Sequence, residues 1–156
     1  MGANRDETTA ERYDRNWLDL IQEVRVAQTG IQVLAGFLLT VPFSYRFEDI
    51  AQQDRVLFLV AFGLAMLTIG LMIAPVAMHR FLFGRHQKDV LVRVGHRTAK
   101  FGLAALGLTL VAVTVLIFDV SAGSLAGVIA GVVVLVFYAL VWVALPMSLL
   151  RQEGEY

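Results

Sequence analysis

The chain has 156 residues, 58% of them hydrophobic and 17% charged, with 13 basic and 13 acidic side chains that cancel to a net charge of +0. Its mean hydropathy of +0.69 lies well above that of soluble domains, so the composition points to a membrane protein and leaves no room for a separate soluble catalytic domain. There is no cysteine, which excludes disulfides, thiolate metal sites and cysteine nucleophiles together.

The opening MGANRDETTAERYDRN is polar and of mixed charge. It lacks the apolar core and small-residue cleavage site of a secretory signal, and residues 1–15 are expected to form a mobile polar tail. Met1-Gly2 matches the start of a myristoylation motif, but Asp6 stands where that motif needs Ser or Thr.

The first span is predicted over residues 17–42 and ends at Pro42, a natural stop for a helix. Trp17 suits the aromatic belt, and Arg25 can reach the headgroups from the inner boundary of the hydrocarbon. Gln32 lies seven residues further on, roughly 10 Å deeper along the axis. On a helical projection Gln22, Arg25, Thr29, Gln32, Gly36 and Thr40 share one side, with Gln28 at its edge. A primary amide at that depth needs partners, so the stripe should face the interior of the bundle or another subunit. It could serve interhelical hydrogen bonding, or it could line a path for a solute or ion.

The second span, 55–78, is free of charge over VLFLVAFGLAMLTIGLMIAPVAM. Residues 79–98 form a basic loop whose later part reads as an amphipathic segment at the membrane surface before the third span. Asp89, Arg93, His96, Arg97 and Lys100 lie on one side of it, with Val90, Leu91 and Val94 largely on the other. Arg85, Lys88, Arg93, Arg97 and Lys100 are candidate contacts for anionic lipid headgroups, or a simple topology signal. His79, His86 and His96 match no metal-ligand spacing.

The third and fourth spans, 99–118 and 122–150, are joined by a tight turn and form an antiparallel hairpin. In the fourth, Gly123, Gly127 and Gly131 recur every four residues, accompanied by Ala122, Ala126 and Ala130. Small residues at this interval let another backbone approach closely. The surface they form suits a homo-oligomer or membrane-protein partner, or the chain's own first or third span.

The basic residues are distributed unevenly. Arg5, Arg12, Arg15 and Arg25 precede the first span's deep portion, six more lie between Arg80 and Lys100, and the third-to-fourth connection has none. Arg46 and Arg55 are offset by Glu48, Asp49 and Asp54. Lys and Arg are retained on the inner side, so both termini and the central loop are expected to be cytoplasmic. The expected fold is all-α: four transmembrane helices in an up-down bundle within a single domain.

The segments RYDRNWLDLIQEVRVAQTGIQVLAGFLLTVPF and IAPVAMHRFLFGRHQKDVLVRVGHR resemble a group of short bacterial four-span membrane proteins, common in actinobacteria and described as a family of unknown function. Some members carry the label sodium:proton antiporter, so the resemblance implies cation or proton exchange as an alternative to a structural or accessory role. Such exchange normally uses a carboxylate deep in the membrane. Glu23 and Asp119 instead fall near the ends of their spans. The residues show no nucleophile–base pair, metal pattern or phosphate loop, so neither enzymatic activity nor a cofactor is expected. Nucleic-acid binding is not expected either.

Overall fold

The computed structural model describes residues 9–82 and 88–153. They are helical almost throughout, in the order α1 (Thr9–Thr40), a 3₁₀ turn (Val41–Phe43), α2 (Gln52–Leu82), α3 (Lys88–Ala122) and α4 (Ser124–Ala139). A π-helical turn (Leu140–Ala144) then carries α4 into α5 (Leu145–Glu153). Four stretches are long and apolar enough to cross a membrane: Arg15–Phe43, Gln52–Phe81, Val92–Ala122 and Ser124–Leu150. The helices pack on one another, as expected for a multi-pass membrane bundle.

One expectation needs correction. The segment read as a mobile tail is helical from Thr9 onward, because Ala10, Glu11 and Arg12 are good helix formers and polarity alone does not oppose a helix. The amphipathic segment before the third span is continuous with it and forms the first part of α3 (Lys88–Ala122). At 35 residues, α3 is about 52 Å long, well beyond a hydrocarbon core of about 30 Å. Its early turns pack on α1, where Gly95 lies against Leu20 and Trp17.

The core lies between α1, α2 and α3. Leu20, Val24, Ile31, Ala35 and Leu38 are buried along one face of α1, with spacings that follow the helical repeat. Ile31, Ala35 and Leu38 meet Phe58 and Ala65 of α2 and Leu116 of α3, while Leu20 and Val24 meet Met72. Near mid-depth the Thr68 and Thr109 hydroxyls lie 3.3 Å apart across α2 and α3. Each is also 2.8 Å from the carbonyl one turn back, of Leu64 and Ala105 respectively.

Prolines and one glycine set the breaks. Pro42 sits in the 3₁₀ turn that ends α1. Pro75 is buried inside α2. Pro146 lacks the amide that would bond the carbonyl of Trp142, and the helix answers by widening: Leu145 N–H donates to the carbonyl of Leu140, five residues back. Between α3 and α4 the whole connection is Gly123, at φ +90°, a conformation that other residues resist.

α4 packs against α3 and, among the described residues, makes no contact with α1 or α2. Close approach comes from Gly127 and Gly131. A Cβ on Gly127 would lie 3.0 Å from the Val115 carbonyl oxygen, and one on Gly131 would collide with Val115 Cγ2. The architecture is therefore a three-helix core with the fourth span on its flank.

Candidate functional site

The rotation of α1 is fixed by its buried residues, and that rotation decides where the polar stripe points. The core face centres near Val24 and Ile31, and Gln32 lies about 100° away from Ile31 around the axis while Gly36 lies about 140° away. Gln22, Arg25, Thr29, Gln32, Gly36 and Thr40 are all exposed, and Gln28 is half-buried at the edge. The stripe does not face the interior of its own bundle. Of the two orientations open to it on sequence grounds, the structure leaves the outward one.

The two threonines settle their hydroxyls locally. Thr29 donates to the Arg25 carbonyl at 2.9 Å, and Thr40 to the Phe37 carbonyl at 2.7 Å. Gln28 and Gln32 have no such resource, because a side-chain amide carries two donors and an acceptor that its own helix cannot satisfy. Among the described residues neither makes a hydrogen bond. Gln32 is close to the middle of the span Arg15–Phe43, where lipid offers no partner and an unpaired amide costs about 4–8 kcal/mol on a water-to-hydrocarbon scale. One turn further on, a Cβ at Gly36 would meet nothing within 4 Å. The outward face thus combines unsatisfied amides with room for a close neighbour.

The other predicted positions separate. Gly127 and Gly131 are buried between α4 and α3, whereas Gly123 belongs to the turn and not to the packing face. Arg93, Arg97 and Lys100 are exposed on the early part of α3. Arg85 lies outside the described residues, as does the side chain of Lys88. With Asp19 and Glu23 of α1, the exposed basic residues of α3 line a cleft at the end of the bundle that carries the N-terminus of α1. Trp17 stacks on His79 of α2 at the same end, with ring centroids 5.5 Å apart.

At the opposite end the loop before α2 folds back over that helix. Arg55 Nη2 donates to the carbonyl of Glu48 at 3.3 Å, and the guanidinium sits 5.7 Å from the centre of the Phe47 ring. Phe47 meets Phe58 edge-on at 5.2 Å. Asp54 is buried there, and its Oδ1 has no hydrogen-bond partner among the described residues. Sequence reasoning treated Asp54 only as a loop charge, since its burial depends on how the α2 start meets the α3 end. The Thr68–Thr109 contact was likewise unread, because each threonine alone can be satisfied by its own helix.

Fold and surface together define a polytopic helical membrane protein with an unsatisfied polar face on its first span. The chain belongs to the family of unknown function DUF6328, whose model matches residues 6–146. No curated protein and no solved structure matches it.

Proposed function

We propose that this protein is a non-catalytic membrane scaffold or accessory subunit whose copies join through the outward face of α1. The observation that carries this reading is Gln32, an amide at mid-span, exposed and without a hydrogen bond among the described residues. A second copy fits better than lipid or an apolar partner. Two chains related by an axis along the membrane normal present residue 32 at the same depth, and an amide both donates and accepts, so two of them are self-complementary. Gly36 lets the backbones approach closely enough for that exchange.

The uneven basic residues support an inner-membrane orientation with both termini cytoplasmic. Replacing Gln32 with Leu tests the scaffold reading directly. Native mass measurement in mild detergent should show dimers or higher forms for the wild type and a shift to monomer for Gln32→Leu. A wild-type monomer, or a complex with a different membrane protein in its place, would refute self-association.

A second reading, a small transporter, draws on the same stripe, which runs from Gln22 to Thr40 through most of a span. A polar route along α1 would have to form between copies, because the stripe lies on the outside of one chain. Cation or proton exchange would further need an ionisable group at mid-depth, a position at which α1 offers only amides and hydroxyls. Flux of sodium or protons into liposomes containing the purified protein, above that of empty liposomes, would move this reading ahead of the scaffold.

A further inference from the structure

α1 and α3 touch closely at Gly95, but beside that contact they leave an open cleft of about 600 Å³. Its two walls carry opposite charge. Asp19 and Glu23 project from α1, and Arg97 and Lys100 from α3, all four exposed, with Arg93 and His96 on the same wall of α3. Among the described residues no ion pair joins these four across the cleft. Glu23, His96 and Lys100 also border a smaller crevice of about 200 Å³, whose remaining lining is apolar and includes Val24, Met72 and Leu103. The cleft therefore passes from a two-signed polar mouth to an apolar slot at the depth where α1 enters the hydrocarbon.

A purely anionic headgroup would meet Asp19 and Glu23, and a purely cationic one would meet Arg97 and Lys100. We infer that the cleft binds a phospholipid whose headgroup joins a phosphate to a primary ammonium, with the phosphate on Arg97 and Lys100 and the ammonium on Asp19 and Glu23. Arg97 can present a forked pair of donors to phosphate oxygens. A primary ammonium brings three donors to the two carboxylates, whereas a quaternary ammonium brings none. An acyl chain follows the apolar slot toward the bilayer, which a free phosphoamine lacks. This changes the expectation of anionic-lipid contacts at Arg97 and Lys100, because those cations share their cleft with two carboxylates. The inference is independent of self-association, since Asp19 and Glu23 lie on the flank of α1 away from Gln32.

The test is native mass measurement of the full chain in mild detergent with equal amounts of phosphatidylethanolamine, phosphatidylcholine and phosphatidylglycerol of identical acyl chains. Phosphatidylethanolamine should be retained about tenfold better than the other two, the ratio expected of one charge-assisted hydrogen bond. Asp19→Asn with Glu23→Gln should reduce it to the level of phosphatidylcholine and raise phosphatidylglycerol. Arg97→Gln with Lys100→Gln should lower both phosphatidylethanolamine and phosphatidylglycerol. All four side chains are exposed, so unchanged helicity by circular dichroism is expected and serves as the folding control. Equal retention of the three lipids, a wild-type preference for phosphatidylglycerol, or indifference to the Asp19/Glu23 pair of changes would overturn the proposal. So would binding of soluble phosphoethanolamine as tightly as the lipid, which would mark a site for a free solute.

Discussion

α1 and α4 both lie at the rim of the bundle, and they treat their surroundings in opposite ways. α4 turns its small residues inward, with Gly127 and Gly131 against Val115. It leaves Leu125, Val128, Ile129, Val132, Val133 and Phe137 exposed, an apolar surface that lipid satisfies without help. α1 turns Leu20, Val24, Ile31, Ala35 and Leu38 inward and leaves Gln32 and Gly36 outside. α1 also exposes Val33 and Phe37, which lipid accepts, but beside them it leaves an amide that lipid cannot satisfy. In a bilayer, where burying apolar surface between helices brings no water-release gain, such an arrangement supports the proposal that copies join through α1.

The contrast can be broken at either helix with substitutions of the same kind. Gly131→Leu should have the largest effect, because its side chain has no space against Val115. Loss of about 1–3 kcal/mol would appear as a lower unfolding midpoint in detergent, with α4 detached from α3. Gly36→Leu places the same side chain in open space and should leave the unfolding midpoint of the monomer unchanged while abolishing close approach between copies. Equal destabilisation by the two would erase the distinction between a helix face packed within the chain and one that is free.

Gln32→Leu comes next. It should weaken association by about 0.6–2 kcal/mol, the range of an interhelical hydrogen bond, read as a shift in the monomer–dimer equilibrium with protein-to-lipid ratio. Gln28→Leu should do less, since Gln28 is half-buried at the edge of the face. The smallest effect belongs to Thr109→Val. It removes the 3.3 Å contact with Thr68 and should lower monomer stability by about 0.5–1 kcal/mol without altering association. A change in oligomer mass for Thr109→Val would show that the core and the outer face are coupled.

Much of this arrangement is legible in the sequence, and the remainder has a physical reason for being hidden. The spans stand out through charge-free length, the end of α1 through Pro42, and the hairpin through Gly123. The stripe itself is visible from the spacing of Arg25, Thr29, Gln32 and Gly36. Its direction is not, because core and lipid are both apolar and hydropathy cannot tell them apart. The rotation of α1 comes from the fit of Ile31 and Ala35 against Phe58 and Ala65, a contact between residues far apart in the chain. The same holds for the cleft, since Glu23 and Lys100 become neighbours only when α1 and α3 pair. The π turn before Pro146 is intermediate: the missing amide is written in the sequence, but widening, kinking and breaking are all available responses.

The absence of cysteine gives the most direct test of where copies meet. Single cysteines placed at Thr29, Gly36 and, on the outward face of α4, Val132 can each be oxidised in native membranes and read as covalent dimers on a denaturing gel. Disulfide geometry requires Cα atoms within about 7 Å of each other, so only positions at a close two-fold contact should link. Efficient cross-linking of Thr29→Cys and Gly36→Cys with none from Val132→Cys is the predicted result. Cross-linking through Val132→Cys, with Thr29→Cys and Gly36→Cys remaining monomeric, would contradict the assignment of α1 as the face that joins one chain to another.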